Sequence, residues 1–200
     1  MVYLDNAATS GYSEIDDIIV EIMTNAMKRY WMNPSSLYAN EVKLVINKCR
    51  EQVAKFIGAK PEEIYFTSGG SESNNWAIQG FINQCFSKGE KPCVITSTIE
   101  HKSIMECVSN LIYADVRYVD VDKEGFVDIK DLGNMVFGRT LCNYKTLVSI
   151  QFANNEIGVI QDIKKVSEEV HRSKGILHVD AVQAFGHIPI DVNKLGIDMM

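Results

Sequence analysis

Four short polar segments of this 200-residue sequence have the make-up of ligand-binding loops. In Phe66-Thr67-Ser68-Gly69-Gly70-Ser71-Glu72-Ser73, an apolar run meets two glycines and then a helix start. Strand, glycine turn and helix start make an anion site. Free backbone N–H groups and the helix dipole face the negative charge, and glycine lets the main chain come close. Ser71 can add its hydroxyl to such a site, although the same residues also read as an ordinary helix cap with Ser71 at the N-terminus. Neither a Walker loop nor a dinucleotide fingerprint is present. In Ser97-Thr98-Ile99-Glu100-His101-Lys102, His101 sits between a strand and a helix. An acid–base role and a hydrogen-bonded surface role are both open to it.

The third segment is Phe152-Ala153-Asn154-Asn155-Glu156-Ile157-Gly158. Two amides after a buried strand need partners. A turn would supply them, and so would a bound ligand. The fourth is His178-Val179-Asp180-Ala181-Val182-Gln183. Strand alternation puts His178 and Asp180 on one side, with Asp180 at the strand end and Gln183 three residues on. A carboxylate buried there needs a cation or a donor network, so a structural ion pair and a ligand contact are both open.

The elements that must position these loops follow from periodicity. Helical stripes run over Ile15, Ile18, Ile19, Ile22, Met23 and Ala26 and over Val42 to Ile57, with Asn33-Pro34-Ser35-Ser36 between them and Gly58 after. Further helices are expected from Ser71 onward, over Ser103–Leu111, weakly over Ile129–Phe137, and over Ile163–His171. Short apolar runs at Ile64–Thr67, Cys93–Thr96, Val116–Val119, Leu147–Phe152 and Ile176–Val179 read as strands. This alternation predicts an α/β fold: βαβ units and a mostly parallel sheet with helices on both faces. Ligands of such sheets bind beyond the carboxyl ends of the strands, where the four polar segments fall. Gly196-Ile197-Asp198-Met199-Met200 reads as the start of another strand, so the sequence is expected to be the N-terminal part of a longer protein.

Composition narrows the function classes. Apolar residues make up 46% and charged residues 23%, which excludes a disordered or low-complexity chain. The net charge of −6 and the lack of a basic stripe argue against nucleic acid. No stretch approaches the ~20 apolar residues of a membrane span, and the N-terminus has no signal-peptide core. Cys49, Cys85, Cys93, Cys107 and Cys142 are odd in number and form no C-x-x-C pair. They read as buried or incidental thiols in a reducing cytoplasm. His101, His171, His178 and His187 lack metal-ligand spacing, so no metal site is expected.

The four segments, in this order, resemble one family. With Tyr3-Leu4-Asp5-Asn6-Ala7-Ala8-Thr9 at the start and Asn33-Pro34-Ser35-Ser36 after it, they are similar to the motifs of the cysteine desulfurases. These are NifS/IscS-like members of the class-V aminotransferase group, enzymes of pyridoxal 5'-phosphate (PLP) fold type I. The resemblance covers residues 2–200. It implies the PLP fold type I large domain, truncated at its C-terminal side, with residues 16–200 an incomplete PLP-binding domain and residues 1–15 a segment packing with a small domain.

The resemblance also implies roles. Gly70 and Ser71 would hold the cofactor phosphate, and His101 would stack on the pyridine ring and relay protons. Asp180 would pair with the ring N–H, which keeps that nitrogen protonated and the ring an electron sink. Gln183 would hydrogen-bond the phenolic oxygen, and Asn155 would contact the cofactor near it and the substrate carboxylate. The implied reaction converts L-cysteine to L-alanine and passes a persulfide sulfur to an acceptor protein for iron–sulfur cluster or thiolated-tRNA assembly. A cytoplasmic homodimer is implied, with no nucleic-acid or membrane partner. The family's Schiff-base lysine is expected just beyond Met200 and its persulfide cysteine further on, so these 200 residues alone are expected to be inactive; Lys102 is not that lysine. Open alternatives are a selenocysteine lyase, another class-V aminotransferase, or a non-catalytic fragment that binds a partner chain.

Overall fold

The computed structural model describes Ala7 and residues 14–200, the side chains of Glu14 and Ile15 excepted. The opening motif Tyr3–Thr9 therefore lies, Ala7 apart, outside the described residues, as does most of the segment 1–15. The chain divides into two compact units, residues 1–65 and 66–200.

In the first unit, α1 (Glu14–Arg29) and α2 (Asn40–Ile57) follow the two apolar stripes, and a 3-10 turn covers Pro61–Glu63. α2 buries Val42, Ala54 and Ile57 and stops at Gly58, whose left-handed φ of 74° lets its N–H reach the Ala54 carbonyl. Between the helices, Asn33 Oδ1 accepts from Ser35 N at 2.9 Å, the local turn that Asx residues favour.

The second unit contains α3 (Gly70–Ser87), β1 (Lys91–Ser97), α4 (Lys102–Ser109), β2 (Asp115–Val119), α5 (Ile129–Leu141), β3 (Tyr144–Gln151), α6 (Ile163–Arg172), β4 (Ile176–Asp180) and α7 (Val192–Leu195). Its four strands pair in the order β2-β1-β3-β4, all parallel. Val94, Leu147 and Ile176 stand side by side and pack with Ile78, Phe81 and Ile82 of α3 and Ile104 and Val108 of α4. α5 and α6 pack on each other and on β1, β3 and β4. α3 and α4 cover the face of Val94 and Leu147, and the rule that parallel crossovers are right-handed places α5 and α6 on the other. The direction of travel reverses between β1 and β3, which makes that pair the topological switch point.

The expected α/β sheet is present, with one correction. Ile64–Thr67, expected as a strand, lies outside the sheet. An apolar run becomes a strand only where a neighbour supplies ladder partners, and no described segment supplies them here. At the other end of the unit, Met199 N donates to the Leu177 carbonyl and Val179 N to the Met199 carbonyl, a parallel bridge beside β4.

Ser167, His171 and Asp198 resemble a nucleophile triad but make a structural tie. Ser167 Oγ is buried and gives its proton to the Gly196 carbonyl at 2.8 Å, and His171 Nε2 lies 2.8 Å from Asp198 Oδ2. Asp198 also accepts from Leu177 N at 2.7 Å, so the cluster fastens the 196–199 segment to α6 and β4.

Candidate functional site

The C-terminal ends of β1, β3 and β4 carry Ser97, Gln151 and Asp180. On the α3 face, polarity rises toward those ends in cross-strand rows. The apolar row Val94–Leu147–Ile176 is followed by Thr96–Ser149–His178 and then by Gln151–Asp180. The middle row is tied together. Thr96 Oγ1 donates to the Ser149 carbonyl at 2.9 Å, and Ser149 Oγ lies 2.9 Å from His178 Nδ1. Burial pushes His178 down to about 4, so this imidazole is neutral and lends Asp180 no positive charge.

Asp180 is 4% exposed. Its Oδ2 accepts from Asn74 Nδ2 at 2.8 Å and its Oδ1 from Val182 N at 3.1 Å. No cationic side chain pairs with it among the described residues, so of the two possibilities it is the donor network, not the ion pair, that forms. A carboxylate has about four acceptor positions, and two are used. Gln183 is half-buried on the turn that follows.

The network extends from Asp180 to His101. The same Asn74 Nδ2 lies 3.0 Å from Ser103 Oγ, which lies 2.8 Å from His101 Nδ1. His101 is exposed and caps α4: its Nδ1 accepts from Ser103 N at 3.1 Å. A lone pair that accepts there places the neutral ring's proton on Nε2, away from the helix.

The glycine loop meets the same region. α3 begins at Gly70 with Gly69 as its cap; Ser71 is the exposed second residue of the helix and not the cap. A Cβ added at Gly70 would lie 2.7 Å from Val182 Cγ2, so the first turn of α3 lies directly against the turn after β4. The N–H groups of that first turn lack intrahelical acceptors. Glu72 Oε2 folds the loop back by accepting from Ser68 N and Ser68 Oγ, each at 2.6 Å. The Ser68 hydroxyl and N–H hold the Glu72 carboxyl below its ordinary range.

The two amides divide the open roles. Asn154 is buried and makes the turn, accepting from Glu156 N and Ile157 N and donating to the Ile99 carbonyl at 2.9 Å. Asn155 is half-buried, and its Oδ1 accepts from Gln151 Nε2 at 3.3 Å. Of the expected site residues, Gly70, Ser71, His101, Asn155, Asp180 and Gln183 all fall at this end of the second unit. Asn74, Ser103 and Glu100 were not anticipated as functional. Asn74 had a visible signal, an amide one turn ahead of Ile78 on the stripe Ile78, Phe81, Ile82, Cys85.

Cys85, Cys93 and Cys107 are buried thiols, and burial pushes Cys93 up to about 12. Among the described residues no cluster of His, Cys, Asp and Glu is assembled for a metal, and no helix is long and apolar enough to cross a membrane.

The Aminotransferase class-V family model matches residues 2–200. The cysteine desulfurase IscS of Methanosarcina thermophila is 43% identical over 203 residues, covering 100% of this chain and 48% of the relative. That of Dictyoglomus turgidum is 41% identical, covering 100% and 49%. Among solved structures, a NifS-like protein superposes with a TM-score of 0.87 at 35% identity, covering 98% of this chain and 53% of the other. SspA in complex with cysteine superposes with a TM-score of 0.88 at 31% identity, covering 99% and 55%. The chain spans about half the length of the curated relatives it matches.

Proposed function

The chain belongs to the class-V aminotransferase family, which is PLP-dependent, and from that premise we propose that it is the cofactor-binding part of a cysteine desulfurase. The observation that carries the reading is Asp180, a buried acid at the end of β4 with two donors and no cationic partner among the described residues. Such a group fits a protonated ring nitrogen, and the donor set around it fits the rest of PLP. The N–H groups of the first turn of α3, with Gly70 and the Ser71 hydroxyl, would hold the phosphate. Gln183 would donate to the phenolic oxygen, and Asn155 would contact the cofactor beside it and the substrate carboxylate. Bound there, PLP supplies an electron sink for bonds to the substrate Cα.

The chain's own residues then have distinct tasks. Asp180 would hold a proton on the ring nitrogen, and Asn74 and Val182 N hold Asp180. His101, fixed by Ser103, would stack over the ring and present Nε2–H for proton relay. L-cysteine is the proposed substrate, since the relatives are named for that activity and one solved neighbour holds cysteine. The products would be L-alanine and a persulfide sulfur, handed to an acceptor protein for iron–sulfur cluster or thiolated-tRNA assembly. A cytoplasmic homodimer, with residues 16 onward as the large domain and 1–15 packing with a small domain, completes the proposal.

The test is turnover of L-cysteine by the purified intact protein, with alanine and sulfide measured in parallel. With an added thiol to reduce the persulfide to sulfide and be oxidised to its disulfide, equimolar alanine and sulfide, abolished by Asp180→Ala, are expected. Turnover of selenocysteine alone would point to a selenocysteine lyase, and turnover of neither to another class-V activity or a binding role.

A further inference from the structure

We propose that Glu100 is a positioning residue of this site, a neutral buried carboxylic acid that braces the turn carrying His101 and keeps the negative charge at this end of the sheet on Asp180. Glu100 lies between β1 and α4, directly before His101. It is 8% exposed. Its Oε1 accepts from Ser97 Oγ at 2.5 Å, and its Oε2 is buried with no hydrogen-bond partner. The same turn is held from the other side by Asn154, which donates to the Ile99 carbonyl.

An ionised carboxylate would leave that oxygen charged and out of water with no hydrogen bond made to it. The groups facing Glu100 are the Ser97 hydroxyl on β1, the Gln151 backbone N–H on β3 and the Asp180 carboxylate on β4. Two neighbouring buried carboxyls do not readily both ionise. Asp180 has two donors aimed at it, so the proton resides on Glu100. Burial pushes the Glu100 carboxyl up to about 8; Ser97 and Gln151 oppose the shift and the Asp180 charge adds to it. Ionising Glu100 places a second negative charge beside Asp180 and draws water to Oε2. Hydrating that oxygen loosens the turn that sets His101. Glu100 thereby sets an alkaline limit on how this site holds its ligand.

The inference rests on the PLP reading, and its test separates the two. The intact apoprotein is titrated with PLP from pH 7 to 9, as wild type, Glu100→Gln and Ser97→Ala. Wild-type affinity is expected to fall roughly tenfold more across this range than that of Glu100→Gln, whose amide does not titrate. Glu100→Gln also serves as the reference for the titration of PLP itself. In Ser97→Ala the alkaline limb should move to higher pH, because the hydroxyl that favours the ionised form is gone. Parallel pH profiles for wild type and Glu100→Gln would overturn the proposal. If no variant binds PLP, the cofactor reading fails, and the melting temperature without PLP then decides Glu100. It should fall from pH 6.5 to 8 in wild type and less in Glu100→Gln, and equal slopes would refute the neutral acid.

Discussion

Asn74, in the second turn of α3, donates to Asp180 at the end of β4 across 2.8 Å, a contact between residues 106 positions apart in sequence. One amide nitrogen thus touches both the buried acid and, through Ser103, the helix cap at His101.

Removing that amide leaves Asp180 with a single donor. Asn74→Ala is expected to cost about 1–3 kcal/mol of stability in urea denaturation. It should also weaken PLP binding to the intact protein. Asn74→Asp should be worse than Asn74→Ala, since it sets a like charge against Asp180; equal losses would mean the contact is steric.

Two buried groups that titrate between pH 4 and 8 give stability a definite pH profile. Glu100, raised from 4.5 to about 8, contributes stability that is full below 4.5 and lost as pH rises through 8. His178, lowered from 6.5 to about 4, contributes stability that is full above 6.5 and lost as pH falls through 4. Between 4.5 and 6.5 the slopes oppose and nearly cancel. Between 6.5 and 8 only Glu100 acts, and unfolding free energy should drop by about 2 kcal/mol. Urea denaturation at half-unit pH steps measures this, and His178→Gln should expose the Glu100 slope below 6.5 as well.

Gly70 and Gly69 should respond differently to the same substitution. Gly70→Ala sets its Cβ 2.7 Å from Val182 Cγ2, while a Cβ at Gly69 meets nothing within 4 Å. Displacing the turn after β4 should cost about 1–3 kcal/mol and reduce PLP retention. Gly69→Ala should do neither, and Val182→Ala should restore the Gly70→Ala protein. Absence of that rescue would place the defect in the backbone of the loop.

Asp180→Ala should weaken PLP binding to the intact protein far more than His187→Ala, read by dialysis and absorbance. His187 is exposed and outside the network around Asp180. Similar losses would show that Asp180 does not meet the ring nitrogen.

Much of this was legible in local pattern. The runs at Cys93, Val116, Leu147 and Ile176 are strands because each is apolar and bounded by turn residues, and each finds a parallel neighbour. The run at Ile64 has the same local look without a neighbour, and pairing is not encoded locally. Asp180 stood out as an acid closing the apolar strand Ile176-Leu177-His178-Val179. The roles of Asn74, Ser103 and Glu100 were harder to read. Asn74 meets Asp180 only once the sheet is formed, Ser103 and Glu100 bond within their own loop, and a polar residue near a helix start looks the same whether it caps, braces or merely meets water.

The all-parallel order β2-β1-β3-β4 also governs how the chain assembles this site. Thr96 and Ser149, side by side across the central pair, are separated by 53 residues, and Ser149 and His178 by 29. No strand pair closes through a hairpin, so no local ladder nucleates the sheet. Each pairing requires a loop closure before it returns any contact energy, which makes folding slow for a chain of this size. The row Gln151–Asp180 forms only when β3 and β4 zip together, so the acid meets its register partner late in assembly. Cofactor affinity then becomes a reporter of complete folding, and refolding followed by PLP uptake should lag behind recovery of helix signal.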